Sequence, residues 1–407
     1  MTNPATFESL GIEPDLTAAL AADGIDVPFP IQMLTIPDAL AGKDVCGKAN
    51  TGSGKTLAFG LPIVQQLDRA QVKKPLALVL VPTRELARQV TSVLEPLAGL
   101  RGYSTAAVYG GAPMSEQTKA LGRGVEIVIA TPGRLIDLIE RKELLLDDVR
   151  TVAIDEADQM ADMGFLPQVR RIMSGISTEY QTYLFSATLD GQVGSLVSAY
   201  MDEPVRHDTE PDGDTIDTME HRFLKVHHMD KVKMAAAIAA VSGRILLFVR
   251  TKAECDRVAR NLQDIGVEAR AIHGDLQQRQ RDKAMAGFAS GENPVLVATN
   301  VAARGLHIDD VDVVVHYDPP DDPKTYLHRS GRTARAGESG LVVTFVEWDQ
   351  VNEVLGIQRR AGLNVPIVKM FSNDERVSDL TSWQPDPEMA PFRGKRSHPM
   401  SGRRRRN

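Results

Sequence analysis

Residues 151–160 read TVAIDEADQM. A short β-prone apolar run, 151–154, ends abruptly in three acids within four residues: Asp155, Glu156 and Asp158. Taken alone, this is a strand running out into a solvated acidic turn. The rest of the chain decides whether it is more. Similar apolar runs recur at 76–81 (LALVLV), 125–130 (VEIVIA), 182–185 (TYLF), 245–249 (ILLFV), 294–298 (PVLVA), 311–316 (VDVVVH) and 341–346 (LVVTFV). Helix-like stretches at 84–97, 133–141, 252–264 and 277–289 separate many of them. Alternating strands and helices predict an α/β fold with mostly parallel sheets flanked by helices. Nearly continuous apolar character fits strands buried on both faces.

The residues just past each run are more specific. PTRELA (82–87), TPGR (131–134), DEAD (155–158) and SAT (186–188) come after four runs of the first half. RT (250–251) and TNVAARG (299–305) come after two runs of the second. Open α/β sheets bind ligands beyond the carboxyl ends of their strands. Small polar and charged clusters at six such ends point to a functional surface rather than to six turns.

A chain of 407 residues exceeds what one core supports, so two domains are expected. The stretch HDTEPDGDTIDTM (207–219) is acidic and lacks apolar periodicity. It predicts a first domain over 1–207, a flexible linker over 208–219 and a second domain over 220–370. Residues 371–407 read as a short basic disordered tail. The N-terminus has neither a basic start nor an apolar stretch, so no signal peptide is visible. The longest aliphatic run, 76–81, is far too short for a membrane span. Two cysteines, Cys46 and Cys255, fall in different predicted domains, which argues against a disulfide framework and for a reducing cytoplasm. Net charge is −7, yet residues 393–407 hold seven Lys/Arg and no acid, leaving −14 on the remainder. A basic end on an acidic body fits either local attraction to polyanions or a solubilising tail.

Residues 49–56 read ANTGSGKT, close to the phosphate-loop pattern G-x-x-x-x-G-K-[ST], with Ala49 in place of the first glycine. Ala49, Asn50, Thr51, Gly52, Ser53 and Gly54 form the loop, and its backbone N–H groups can hold phosphate oxygens. Lys55 is suited to the outer phosphates and Thr56 to Mg²⁺, with the helix that begins there adding its positive end. Beside such a loop the acids acquire a purpose. Asp155 can hold Mg²⁺, and Glu156 can orient and polarise an attacking water. In HRSGRTARAG (328–337), Arg329, Arg332 and Arg335 are spaced by three, which would place them on neighbouring positions of a helix. A surface stripe and a phosphate clamp both fit; the clamp suits transition-state charge.

With these motifs in this order, residues 7–345 resemble a DEAD-box ATP-dependent RNA helicase of superfamily 2, bacterial type. The resemblance implies two RecA-like domains in tandem that close around ATP, Mg²⁺ and one RNA strand. It makes GIDVPFPIQ (24–32) an adenine-reading segment, with Gln32 on the adenine edge and Phe7 stacked on the ring. Gly305 joins the nucleotide contacts. Arg84, Gly110, Gly111, Thr131 and Arg134 would touch the RNA backbone from the first domain, and Thr251, Gly274, Arg281 and Thr299 from the second. Ser186 and Thr188 would couple Asp158 to the arginine motif, including His328 and Arg329. Arg332 and Arg335 match the finger positions. Ile25, Phe29, Asn300, His307 and Ala334 depart from the usual pattern, the first two at the adenine segment.

The reading that results is an RNA helicase or remodeller acting in the cytoplasm as a monomer. Its partners would be RNA, with ribosomal or RNA-decay components among the candidates, and no membrane. A DNA helicase or translocase on the same scaffold, or an ATP-gated RNA clamp with little unwinding, are the alternatives.

Overall fold

The computed structural model describes residues 5–49, 52–209, 219–303, 308, 311–333, 340–383 and 385. They form two compact units, one from the described residues up to Thr209 and one from Met219 onward. The first carries strands β1 (Val45–Lys48), β2 (Ala77–Leu80), β3 (Thr105–Val108), β4 (Ile127–Ala130), β5 (Thr151–Ile154), β6 (Gln181–Ser186) and β7 (Val205–Asp208). The second carries β8 (Met219–Lys225), β9 (Ile245–Val249), β10 (Ala269–Ile272), β11 (Val295–Thr299), β12 (Val313–His316), β13 (Gly340–Val346) and β14 (Ile367–Lys369).

Each set makes one seven-stranded sheet, ordered β3-β4-β2-β5-β6-β1-β7 and β10-β11-β9-β12-β13-β8-β14. Counted within each unit, the two orders are the same. Every pairing between these strands is parallel. The two expected sheets are therefore present and wholly parallel.

The period-two alternation of strands sorts the core. Ala77, Val79, Ile127 and Ile129 face the helices Lys55–Gln66 and Arg84–Leu100, while Leu78, Leu80, Val128 and Ala130 pack with Leu135, Leu138 and Val169 on the other side. In the second unit Leu247, Val249, Val297 and Val315 share a core with Val258 and Leu262 of the helix Lys252–Asp264. Two long helices begin identically. Thr83 Oγ1 accepts the Leu86 N–H at 3.2 Å, and Thr251 Oγ1 accepts the Glu254 N–H at 3.2 Å. Each satisfies a donor that a helix leaves open at its start. Among the described residues no helix is long and apolar enough to cross a membrane.

Two boundary expectations need correction. Asp208 ends β7 and Met219 begins β8, so both ends of the expected linker are strand residues; 210–218 lie outside the described residues. The expected tail starts too early. Residues 371–383 pack onto the second unit, with Val377 and Leu380 buried in its core. Arg222 donates from Nε to the Leu380 carbonyl at 2.8 Å and from Nη2 to that of Trp383 at 3.1 Å. The Trp383 ring lies against the guanidiniums of Arg222 and Arg376, with Cζ atoms 5.4 and 5.2 Å from its centre. Scattered charges hide this segment in the sequence, because only Val377, Leu380 and Trp383 supply its apolar contacts. Residues 386–407, with the basic end, lie outside the described residues. Replacing Leu380 by Ala is expected to lower unfolding free energy by about 2–4 kcal/mol. Denaturant titration of the full chain checks this, since a loose tail would leave the second unit's transition unmoved.

Candidate functional site

The site in the first unit grows from strand ends. Beyond β1 the chain must reverse into the helix Lys55–Gln66 within a few residues. Gly52 and Gly54 allow it by adopting φ of 86° and 83°, a region hostile to side chains. Ala49 N–H donates to the Ser186 carbonyl at 3.1 Å, pinning the loop to the end of β6. Lys55 Nζ reaches back to the Ala49 carbonyl at 3.4 Å and lies 3.8 Å from Asp155 Oδ1. Both side chains are buried. Thr56 occupies the first turn of the same helix. Asn50 and Thr51 lie outside the described residues.

At the tip of β5, Asp155 Oδ1 accepts the Glu156 N–H at 2.9 Å. Glu156 then takes φ 52°, ψ 50°, a left-handed conformation rare for a residue with a side chain, and leads directly into the helix Ala157–Asp162. Ser186, at the end of β6, accepts N–H groups from Asp158 at 3.2 Å and from Thr188 at 3.3 Å through its fully buried Oγ. Lys55, Asp155, Glu156, Asp158, Ser186 and Ser53 through Thr56 thus gather at the carboxyl ends of three adjacent strands, β5, β6 and β1.

The two residues expected at the adenine are both buried. Phe7 is buried within the core, packed in the same cluster as Ile12 and Leu16, so its ring faces are already covered. Gln32 is fully buried and both ends of its amide are engaged. Its Oε1 accepts the Phe29 N–H at 2.8 Å and its Nε2 donates to the Gly54 carbonyl at 2.9 Å.

A second constellation lies beyond β2, β3 and β4. Gly111 has φ 86°, and a Cβ there would fall 2.7 Å from Arg84 Nη1, so only glycine lets this arginine lie against the turn. Arg134 Nη1 donates to the Ala112 carbonyl at 3.1 Å. The Thr131 N–H donates to the Val108 carbonyl at 2.9 Å, joining the tips of β3 and β4. Arg84, Gly110, Gly111, Thr131 and Arg134 are therefore neighbours. In the second unit Thr251, Gly274 and Thr299 stand at the ends of β9, β10 and β11, the strands that hold the same places in its sheet. A Cβ on Gly274 would sit 3.8 Å from Lys252 Cε, leaving the backbone open. Arg281 is a correction. It is buried in the helix Gln278–Ala289 and does not offer an open guanidinium.

The arginine motif is also rearranged. The helix Pro323–Ser330 stops at Gly331, so Arg329 and Arg332 do not share a helical face. Thr333 Oγ1 donates to the Val311 carbonyl at 2.6 Å and draws the chain off the helical path. Arg329 is buried; it donates to Asn300 Oδ1 at 2.5 Å and to the Asp318 carbonyl at 2.9 Å, and its Cζ lies 5.0 Å from the centre of the Phe248 ring. Arg332 and His328 are partly exposed. Gly305 and Arg335 lie outside the described residues.

One cluster escaped the sequence. Lys231 begins the helix after β8, as Lys55 begins the helix after β1. Its Nζ meets Asp318 Oδ1 at 2.9 Å and Glu347 Oε1 at 3.2 Å, and lies 4.3 Å from the centre of the Tyr317 ring. The available signal was an aspartate just past β12 and a lysine early in a helix, which no local pattern connects.

Comparison with known proteins agrees with this geometry. Residues 29–196 match the DEAD/DEAH box helicase family and residues 230–337 the Helicase conserved C-terminal domain. The chain is 38% identical over 374 residues to the DEAD-box ATP-dependent RNA helicase CshA of Geobacillus kaustophilus, covering 91% of this chain and 80% of that one. It is 39% identical over 381 residues to DEAD-box ATP-dependent RNA helicase 53 of Oryza sativa subsp. japonica, covering 91% of this chain but 63% of the rice protein. A structure of S. cerevisiae Dbp5 bound to RNA and ADP BeF3 superposes with a TM-score of 0.81 at 28% identity, over 92% of this chain and 98% of that one. Two parallel α/β units, the first matching the DEAD/DEAH box model and the second the helicase C-terminal model, define a two-domain helicase-family protein. The chain belongs to the DEAD-box ATP-dependent RNA helicase family.

Two outcomes are expected from the second unit. Lys231→Met leaves Asp318 and Glu347 without their cation and should cost about 3 kcal/mol of stability, read from the denaturant midpoint. The second concerns the helix that carries His328 and Arg329. Beneath it, His221 Nδ1 pairs with the Tyr326 hydroxyl at 2.7 Å and His316 Nδ1 with Thr344 Oγ1 at 3.2 Å. Burial, with Arg222 adding, pushes His221 down to about 4. Burial pushes His316 well below its ordinary value, with Arg329 and His221 adding. Both are neutral when folded and bind protons more readily unfolded. Their stabilisation is therefore complete above about pH 6.5 and declines as pH falls toward 4. Urea midpoints between pH 7.5 and 4.5 should fall less steeply in His221→Asn than in the parent chain.

Proposed function

We propose that this chain is an RNA-stimulated ATPase that uses ATP binding and hydrolysis to open short RNA duplexes or remodel RNA–protein assemblies. The observation that carries the reading is the buried Lys55–Asp155 pair at 3.8 Å, set between a glycine loop and a left-handed Glu156. Lys55 and the start of its helix would draw the outer phosphates of ATP. Glu156 would hold the attacking water and accept its proton. A hard cation takes oxygen donors, and Thr56 and Asp155 supply a hydroxyl and a carboxylate beside the loop. These residues fit Mg²⁺, which would neutralise phosphate charge when bound. Ser186 fixes Asp158 and Thr188 by their backbones, so a shift in one strand tip reaches the others. Arg332 and Arg335 are the guanidiniums we assign to charge building on the transferred phosphoryl group.

For the polymer, Arg84, Gly110, Gly111, Thr131 and Arg134 in one unit and Thr251, Gly274 and Thr299 in the other form matching strand-end surfaces. Small residues, hydroxyls and backbone amides approach phosphates and sugars, and such contacts fix register without reading bases. The chain would accept RNA by its backbone, and selection among RNAs would come from elsewhere. A reducing, cytoplasmic setting fits Cys46 and Cys255, both free and buried, with burial pushing the thiols up to about 11 and about 12.

Glu156→Gln should retain ATP and RNA binding and lose most turnover, because shape survives while basicity does not. Lys55→Ala should instead weaken nucleotide binding. Phosphate release measured with no polymer, RNA, or DNA of equal length decides the substrate. Equal stimulation by DNA would favour a DNA translocase, and tight RNA binding with negligible turnover would favour a clamp.

A further inference from the structure

Three large apolar side chains stand exposed along the carboxyl edge of the second sheet: Trp348 at 80%, Met229 at 76% and Phe371 at 50%. They follow the ends of β13, β8 and β14, which are neighbours in that order. Local bonds bring their turns together. Lys231 Nζ holds Glu347, the residue before Trp348, at 3.2 Å. Asp230 accepts the Ser372 N–H at 2.8 Å and the Ser372 hydroxyl at 2.7 Å, just past Phe371. Met229 therefore belongs to a turn tied on one side to the Trp348 turn and on the other to Phe371. The Trp348 turn is also closed on itself. The Gln350 N–H donates to the Glu347 carbonyl at 3.1 Å, and the Glu347 N–H donates to Gln350 Oε1 at 3.0 Å. Single exposed apolar residues are ordinary on a protein surface, whereas a group of them marks an interaction site.

We propose that this patch is a stacking platform for unpaired RNA bases, extending the polymer surface at Thr251, Gly274 and Thr299. The inference rests on that surface meeting RNA. Continuity decides the ligand. The sheet order runs β10-β11-β9 through the strands of Gly274, Thr299 and Thr251, and then β12-β13-β8-β14. Adjacent strands lie about 4.8 Å apart, so the ends of β9 and β13 are about 10 Å from each other on one edge. An RNA strand that follows the edge past β9 comes onto the second half. Aromatic faces suit it, because every base has a π-face and stacking reads no sequence. Lys369 Nζ lies 5.3 Å from the centre of the Phe371 ring, which places a cation beside a stacking face. Across residues 225–233, 347–349 and 369–376, acids and Lys/Arg balance at five each. The patch therefore adds stacking rather than phosphate neutralisation.

The test is equilibrium binding of single-stranded uridine oligomers to the full chain with a nonhydrolysable ATP analogue. One oligomer is just long enough to saturate RNA-stimulated hydrolysis, and the other is twice that length. Trp348→Ala should weaken the long RNA by about tenfold and leave the short one unchanged, and Trp348→Phe should keep most of the affinity. The slope of log affinity against log salt should stay the same, since no phosphate contact is lost. Hydrolysis stimulated by the short RNA should match the parent, because an 80% exposed side chain supports no core. The proposal is overturned if Trp348→Ala binds both RNAs as the parent does, which would leave the patch to a protein partner. It is equally overturned if both RNAs are weakened alike, or if the salt slope flattens. Failure of the underlying reading looks different: Gly274→Glu, which sets an acid on the polymer surface, would leave the short RNA's affinity intact.

Discussion

In both units a lysine at the start of the helix after the first strand faces an aspartate beyond the fifth. Lys55 lies 3.8 Å from Asp155, and Lys231 lies 2.9 Å from Asp318. The shared strand order makes these the same place in two copies of one topology. A parallel sheet forces the arrangement, since helix starts and strand tips must all meet along its carboxyl edge. A buried pair of opposite charges is favourable only where further contacts offset desolvation. The two copies meet that demand differently. Around Lys231, Glu347 and the Tyr317 ring complete the surroundings. Around Lys55, the contacts to Asp155 and the Ala49 carbonyl are both long, and the glycine turn of residues 52–54 lies alongside. The second pair is the more closely held of the two.

The remaining strand tips repeat with less divergence. Thr83 and Thr251 cap their helices through the same hydroxyl-to-amide bond, and Gly111 and Gly274 lie past equivalent strands. Under the proposed function, one half of each sheet edge would meet a sugar–phosphate backbone, while the phosphate loop and the strand-tip acids belong to the first unit.

The central strands were legible because burial on both faces demands unbroken apolar runs; β2, β4, β5, β6, β9, β11, β12 and β13 announce themselves. The strands that escaped are instructive. β3, β7, β10 and β14 are the four sheet edges, where one side lacks a neighbour and TAAV, VRHD, ARAI and IVK suffice. β8 is internal but carries His221 and Arg222, buried through partners that lie far along the chain. The catalytic motifs were readable because each is contiguous in sequence. The settings of Phe7, Gln32, Arg281 and Arg329 were hidden for the opposite reason. Their surroundings come from distant segments, and only the fold shows that all four side chains are buried.

Glu156 shows how a local rule can be broken to a purpose. The turn from β5 into the helix Ala157–Asp162 passes through φ 52°, a conformation that costs a side-chain-bearing residue roughly 1–2 kcal/mol and glycine almost nothing. The turn is required because Asp155 Oδ1 takes the Glu156 N–H, which fixes the carboxylate toward Lys55 and leaves no extra residue to absorb the reversal. The phosphate loop meets the same demand with glycine at Gly52 and Gly54, where backbone alone is needed. Where the carboxylate itself is needed, glycine is no solution. A side chain is kept at Glu156 despite this strain, which is what the role proposed for its carboxylate would require.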